Sequence, residues 1–148
     1  MARIYLGGIM GAMGLLQLAG WSVFVNAVES YQAGGRTLAL VLGALLIGGE
    51  LLAAFGLLTD RRFGATAALA VMVLWSALGI QAFARGLALE NCGCFGAFWR
   101  QELRWWVLLE DAYLLGLSAW LVWRTRSSGR AGFVAAARSP DPVAAGER

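Results

Sequence analysis

Apolar residues fill four long stretches of the chain, and short polar connections separate the first three. Each stretch is long enough to cross roughly 30 Å of hydrocarbon as an α-helix that rises 1.5 Å per residue. Because the connections are short, neighbouring helices must be antiparallel. The pattern therefore predicts an all-α fold, an integral membrane bundle of four transmembrane helices within residues 1–124. The predicted spans are Ile4–Val25, Leu38–Leu58, Phe63–Ala84 and Trp105–Trp123.

Two segments depart from this apolar pattern. The connection 85–104 is too polar to be a fifth span, and it contains both cysteines of the chain, Cys92 and Cys94. Residues 125–148 contain Ser-Ser-Gly, Ser-Pro-Asp-Pro and scattered charges. Because such a composition offers little apolar surface to bury, it predicts a disordered cytoplasmic tail.

Composition supports a membrane protein, and the arginines predict its topology. Hydrophobic residues make up 59% of the chain and charged residues 14%. All twelve basic residues are arginines, and they lie near the ends of apolar stretches or in the C-terminal tail instead of forming a stripe, so the net charge of +3 does not indicate nucleic-acid binding. Basic residues near span ends stay in the cytoplasm, which predicts both termini inside a bacterial cytoplasmic membrane and the cysteines on its extracytoplasmic side. The richer side holds Arg3, Arg61, Arg62, Arg124, Arg126 and Arg130, with Arg138 and Arg148 farther along the tail, and the other holds Arg36, Arg85, Arg100 and Arg104.

The first apolar stretch has a second interpretation, because residues 25–27 are similar to a signal-peptide cleavage site. Its apolar region, however, exceeds the roughly 7–15 residues of a signal peptide. Gly7, Gly11 and Gly14 also share one helical face, and such small residues let membrane helices approach closely. We therefore interpret the stretch as a retained span, and its glycine face leaves homo-oligomerisation open.

The cysteines form one Cys-Gly-Cys sequence whose polar and glycine neighbours predict a turn rather than core packing. An extended i to i+2 separation is near 7 Å, at or beyond the roughly 4.4–6.8 Å that a disulfide tolerates between Cα atoms. Gly93 permits the tight turn that closes such a ring. A strained, exposed disulfide in an oxidising compartment is typical of catalytic or labile bonds. Cys92 and Cys94 are therefore the predicted catalytic residues.

Reactive thiols need a stabilised thiolate, which nearby positive charge favours. Arg85, Arg100 and Arg104 flank the pair in sequence, and lipid anchoring is their alternative role. Cys94 lies nearer the next helix start, so we expect it to have the lower pKa. The alternative chemistry is soft-metal binding by both cysteines, since paired thiolates suit copper(I) and comparable ions. Zinc is disfavoured, because the chain has two cysteines and no histidine.

Polar side chains inside the spans are further candidates. Glu50 lies in the second span, where a charge costs roughly 2.5–3.5 kcal/mol and is usually paired or functional. Gln17 and Gln81 are its expected partners, and both a structural contact and a role in proton movement remain open. Glu110 and Asp111 lie early in the fourth span, where capping and positioning are expected ahead of proton relay.

Three tryptophans mark the predicted outer boundary: Trp99, Trp105 and Trp106. Indoles concentrate at membrane interfaces, and the alternative is that they flank a quinone-like ring. No tightly bound cofactor is predicted, and the sequence leaves open whether a quinone binds.

The segment from Cys92 through Phe95 and Gly96 resembles the Cys-x-Cys-Phe-Gly motif of the MauE/DoxX-like family, which are small, four-span, redox-associated membrane proteins. The resemblance covers nearly the whole span region, although the family often carries lysine where Gln17 stands and a basic residue near Glu110. More distantly, the fold is similar to the four-helix core of vitamin K epoxide reductase-like enzymes, which carry additional cysteines. Weaker family matches are Phe24 through Tyr31, Glu50-Leu51-Leu52 and Asp111.

The resemblance implies extracytoplasmic thiol–disulfide exchange, sometimes with a thioredoxin-like protein, as in maturation of methylamine dehydrogenase. We therefore predict a membrane thiol–disulfide oxidoreductase whose Cys92 and Cys94 exchange electrons with such a partner, with Gly93, Phe95, Gly96, Glu50, Asp111 and Arg85 in support. A soft-metal transporter or chaperone and a non-catalytic subunit of a redox complex are the alternatives. The direction of electron flow stays open.

Overall fold

The computed structural model describes the backbone of residues 1–138 and the side chains of residues 1–127. Within that part the chain is all-helical. Four of the helices, α1, α3, α4 and α5, are long and apolar enough to cross a membrane. The predicted four-span bundle is therefore confirmed, and the chain is a multi-pass membrane protein. The helices are α1 (Ala2–Ala19), α2 (Trp21–Ser30), α3 (Gly35–Leu58), α4 (Arg62–Ala84) and α5 (Trp105–Arg138).

The first predicted span is two helices, so the single span Ile4–Val25 is wrong. The break falls at Gly20, whose backbone angles (φ −107°, ψ 37°) are not helical. A Cβ at Gly20 would lie 3.0 Å from the Cβ of Ala97 and 3.2 Å from its backbone nitrogen. The helix therefore bends where the cysteine-containing connection packs against it. Hydropathy does not reveal this bend, because apolar residues continue on both sides of Gly20.

The glycine face of α1 packs against α3 within the same chain. A Cβ at Gly7 would lie 3.1 Å from the Leu58 side chain, and one at Gly14 would lie 3.0 Å from the Leu51 side chain. The small residues thus bring two spans of one bundle together. The close approach that they permit serves α3 here, and homo-oligomerisation remains a prediction.

Different elements of the chain form the two ends of the bundle. Arg3 forms an ion pair with Asp60 in the α3–α4 turn, so the N-terminus and this turn share one end. Helix α2 and the connection 85–104 form the opposite end, which we call the loop end. This connection lies between the end of α4 at Ala84 and the start of α5 at Trp105.

Helix α5 continues beyond the predicted span, whose end was placed at Trp123. Its backbone remains helical through Arg138, so the first part of the segment predicted as a disordered tail is helical instead. A run of alanines between residues 135 and 137 favours this continuation. The rest of the predicted tail, residues 139–148, lies outside the described residues.

Candidate functional site

The Cys-Gly-Cys segment folds back into the loop end of the bundle. Gly93 and Gly96 both have positive φ angles, +86° and +61°, which favour glycine. A Cβ at Gly96 would lie 3.0 Å from the carbonyl oxygen of Leu16, so this glycine lets the segment contact the backbone of α1. The tight turn predicted at Gly93 is confirmed, and Gly96 supplies a second one.

Backbone and amide hydrogen bonds fix the shape of this segment. The side-chain amide of Asn91 donates to the Gly96 carbonyl at 3.0 Å, and its oxygen accepts from the Gly93 N–H at 3.0 Å. The Cys92 N–H donates to the Gln101 carbonyl at 2.7 Å. Asn91 was not among the predicted site residues. Its position directly before a Cys-Gly step is the available signal, since asparagine side chains commonly bond to the backbone two residues on.

The two cysteine sulfurs lie 3.1 Å apart in the dithiol form, within hydrogen-bond distance of each other. Cys92 is 1% exposed and belongs to the hydrophobic core, whereas Cys94 is half-buried. The expectation of an exposed polar turn is therefore wrong. Polar neighbours such as Asn91 mislead here, because they bond to the loop itself rather than to solvent.

The hydrogen bond between the thiols separates their acidities. It lowers the pKa of Cys92, because a Cys92 thiolate accepts the S–H of Cys94, and it raises the pKa of Cys94. Burial raises the pKa of both thiols, and the charge of Asp111 raises both further. This order of the two pKa values, with Cys92 the more acidic thiol, differs from the expectation that Cys94 is the more acidic one.

Two of the three arginines expected to stabilise a thiolate make contacts elsewhere, and the third, Arg100, is exposed. Arg85 donates to the Gln32 carbonyl at 3.3 Å and to its side-chain oxygen at 3.4 Å. Arg104 pairs with Glu102 at 2.9 Å and lies over the Trp106 ring. The charged side chains that act on the thiols are carboxylates instead. Stabilisation of a Cys92 thiolate comes instead from Cys94, through its thiol first and also through its backbone N–H.

Two side chains hold the backbone on either side of Gly93. The hydroxyl of Tyr31 donates to the Cys92 carbonyl at 2.7 Å, and the amide of Gln17 donates to the Cys94 carbonyl at 2.9 Å. Both side chains are buried, and burial raises the pKa of Tyr31 well above its usual value, so the hydroxyl keeps its proton. The two donors thus attach the cysteine segment to α1 and to the end of α2. Tyr31 lies in a segment matched by family resemblance, but its contact was not predicted.

Gln17 also connects this segment to the buried carboxyl group of Glu50. Its amide donates to Glu50 Oε1 at 3.2 Å, and Trp75 Nε1 donates to the same oxygen at 2.8 Å. Glu50 is fully buried. The predicted contact with Gln17 is confirmed, whereas that with Gln81 is wrong, because Gln81 donates to the Tyr31 carbonyl. A carboxyl group deep in the bundle is therefore one side chain away from the Cys94 backbone.

A cleft of about 660 Å³ opens between α1 and α5 and reaches the cysteine segment. Cys94 and Phe95 line its inner part, and Trp99 lines it near the loop. Trp105 and Trp106 do not line it; their rings pack edge to face, 5.9 Å between centroids. Of the three tryptophans proposed to surround a quinone, the structure therefore places one at the cleft.

Asp111 lies on the cleft wall, 8% exposed. It is six residues into α5, or about 9 Å along the helix axis from Trp105. Because Asp111 and Cys94 line the same cleft and Cys92 is buried, the pair lies inside the end of the bundle rather than at its outermost edge. Among residues 1–127, no group of three or more histidine, cysteine or acidic residues is placed to hold a metal ion.

Replacing Gln17 with leucine should loosen the cysteine segment. Losing a hydrogen bond worth about 1.4 kcal/mol raises the population of an opened loop about tenfold. We therefore expect alkylation of buried Cys92 to accelerate about tenfold, measured site by site by mass spectrometry on reduced protein. Leu15→Ala, on the exposed face of the same helix, should leave the rate unchanged. Equal rates in the Gln17→Leu and wild-type proteins would contradict the proposed tether.

The fold and the site together define a multi-pass membrane protein with a largely buried dithiol at one end of its bundle. The sequence model of the family described as methylamine utilisation protein MauE matches residues 1–124. The chain therefore belongs to the MauE family, as its Cys-x-Cys-Phe-Gly motif predicted. Neither the curated proteins nor the solved structures give a significant match. The likeness to DoxX and to the vitamin K epoxide reductase-like core stays a prediction.

Proposed function

We propose that this protein is a membrane thiol–disulfide oxidoreductase that exchanges electrons with an extracytoplasmic thioredoxin-like partner. The observation that carries the proposal is the placement of the two cysteine sulfurs 3.1 Å apart. Sulfurs at that separation need little movement to form a disulfide, because the turn at Gly93 already brings them together. Gln17 and Tyr31 hold the two flanking carbonyls, which limits the reorganisation between the two redox states.

Unequal exposure assigns different roles to the two sulfurs. A partner thiolate reaches the half-buried Cys94 more readily than the buried Cys92. Attack on Cys94 Sγ of the disulfide forms a mixed disulfide and releases Cys92 as a thiolate. The S–H of Cys94 is no longer present at this step, but the Cys94 backbone N–H, which also lowers the pKa of Cys92, remains available to the departing thiolate, and more acidic thiols leave faster. The partner's second thiolate then attacks its own sulfur in the mixed disulfide, leaving an oxidised partner and the Cys92/Cys94 dithiol.

Arginine asymmetry and the family support the proposed compartment and class of partner. Arginine asymmetry supports a bacterial cytoplasmic membrane with both termini inside, which exposes the loop end to an oxidising compartment where disulfides persist. The family description supports a connection with methylamine utilisation. A soluble thioredoxin-like protein is the class of partner that can carry a disulfide from this membrane site to a client protein.

A redox titration tests the proposed exchange. Purified full-length protein is equilibrated with thioredoxin at a series of dithiol to disulfide ratios, and free thiols are then alkylated and counted by mass. We expect both cysteines to become protected together in a single two-electron transition. The Cys92→Ser/Cys94→Ser protein is the background control. If neither cysteine is protected at any ratio, the proposed function is wrong.

Soft-metal binding is the second candidate, because the same two adjacent sulfurs suit copper(I). One stoichiometric copper(I) ion that is lost on Cys92→Ser substitution, together with no disulfide transition, would favour it. If a protein lacking both cysteines retained its cellular function, a non-catalytic role in a redox complex would be favoured instead.

A further inference from the structure

The cleft between α1 and α5 joins a redox-active sulfur to an apolar opening on the side of the bundle. Ile9 and Met13 of α1 face Tyr113 and Leu114 of α5 across it, and Cys94 lies at its inner part. Both helices are candidate membrane spans, so the cleft opens toward lipid. Its volume of about 660 Å³ falls within the usual range for small-molecule sites, roughly 300–1,000 Å³.

The acidic and amide groups that line this cleft lie near its loop end, where α5 begins. Asp111 is more than nine-tenths buried there, and the hydrogen bonds found among residues 1–127 include none to its carboxyl group. Glu110 and the Gln101 amide, which bond to each other at 3.0 Å on the exposed side, also line the cleft. A ligand suited to the cleft therefore has an apolar body and a polar end that accepts protons near Cys94.

Lipid acyl chains satisfy only the apolar part of this description. A quinone satisfies both parts, because its ring and isoprenoid tail are apolar while its two oxygens take up protons on reduction. It also supplies the oxidant that a dithiol requires, since both exchange two electrons. We propose that a lipid-soluble quinone binds in the cleft between α1 and α5 and is reduced there by the Cys92/Cys94 dithiol.

The proposed step balances in electrons and protons. The two S–H bonds of Cys92 and Cys94 break and one S–S bond forms, which releases two electrons and two protons. Both electrons pass to the quinone, and the protons end on its two oxygens to give the quinol. Asp111, on the wall of the same cleft as Cys94, is positioned to relay one of these protons. This inference rests on the proposed function and adds a direction, from the thioredoxin-like partner through the dithiol to the quinone.

The test uses reduced full-length protein in detergent micelles and a short-tailed quinone, decylubiquinone. Quinol formation is followed by absorbance while the cysteines are counted by alkylation. We expect one quinol for each disulfide formed. Oxidation of the same protein by oxidised thioredoxin, measured in parallel, reports on the proposed function alone.

Substitutions on one helix locate the site. Ile9→Trp fills the membrane side of the cleft and should slow quinone reduction by at least about tenfold, a barrier change of about 1.4 kcal/mol. Leu15→Trp places the same bulk on an exposed surface of α1 that does not line the cleft, and should change the rate less than twofold. Both variants should react normally with oxidised thioredoxin. Ile9 lies about 6 Å farther from the loop end than Met13, and Leu15 does not line the cleft.

Two further variants keep the test independent of folding. Tyr113→Ala removes an exposed cleft side chain and should raise the KM for quinone several-fold without changing thioredoxin exchange. Asp111→Asn should slow quinone reduction and remove an acid-dependent limb from its pH profile, as expected for a proton relay. An unchanged pH profile would overturn the assignment of Asp111.

The outcomes distinguish failure of the quinone inference from failure of the proposed thiol–disulfide exchange. If thioredoxin oxidises the dithiol but decylubiquinone never does, the quinone inference is overturned and the proposed function stands. Equal rates for Ile9→Trp and Leu15→Trp would overturn the assignment of this cleft. Failure of both oxidants would overturn the proposed function and the inference together.

Discussion

The Cys92→Ser substitution should trap the protein in a mixed disulfide with its thioredoxin-like partner, whereas Cys94→Ser should abolish the mixed disulfide. Cys94 is the more exposed thiol, so it is the sulfur that a partner reaches. In the Cys92→Ser protein this sulfur still reacts with a partner disulfide, but no neighbouring thiol remains to resolve the product. Both substitutions should reduce turnover to the background rate, because one sulfur cannot form the intramolecular disulfide.

The measurement uses a thioredoxin that lacks its resolving cysteine, activated as a mixed disulfide with an aromatic thiol. Each variant is incubated with it and separated on non-reducing gels. We expect a covalent complex with Cys92→Ser, little with Cys94→Ser and none with the double variant. Trapping through position 92 at an equal or greater rate would show that the buried sulfur is the reactive one. Thermal unfolding of each variant controls for loss of structure.

Gly56→Ala should be among the most destabilising single-methyl additions in the bundle. A Cβ at Gly56 would lie 2.5 Å from the Gly64 Cα and 2.8 Å from its backbone nitrogen. Backbone atoms cannot move aside as a flexible side chain does, so α3 and α4 would have to separate. We expect a loss of about 2–3 kcal/mol in the free energy of unfolding, at the upper end for overpacked interiors.

The matched control for this substitution is Gly48→Ala on the same helix. A Cβ at Gly48 meets nothing within 4 Å, and alanine is the better helix former by about 1 kcal/mol. Gly48→Ala should therefore leave stability unchanged or raise it by up to that amount. Denaturant titration in one detergent, followed by circular dichroism, measures both variants. Equal stability of the two variants would contradict the close approach of α3 and α4.

The contact between Gln17 and Glu50 explains how a polar pair can lie within a membrane bundle. The Glu50 Oε1 atom receives two hydrogen bonds, from Gln17 and Trp75, while Gln17 also reaches the Cys94 carbonyl. These bonds offset part of the cost of burying polar groups away from water, although Gln17 Oε1 and Glu50 Oε2 are buried without a hydrogen-bond partner among the described residues. The same arrangement places a structural contact of the bundle next to the cysteine segment, so changes at Glu50 should affect the position of the thiols.

The spans were predictable from sequence because each must be apolar over a fixed length, which any window of residues displays. The motif around Cys92 and Cys94 was equally visible, as was the need for a turn at Gly93. Gln17 could be selected as a partner of Glu50 because few polar residues lie inside the spans. Trp75 could not, since an indole in an apolar stretch gives no sign that its N–H bonds to a carboxyl group.

Residue order by itself determined that the chain spans a membrane four times, which family it belongs to and which two residues carry the proposed chemistry. Only the tertiary structure decided that the first predicted span breaks at Gly20 and that Cys92 is buried while Cys94 faces a cleft. The reason is physical. Span length and motif spacing are local properties of the chain, whereas burial, the thiol environment and the cleft depend on how distant helices pack.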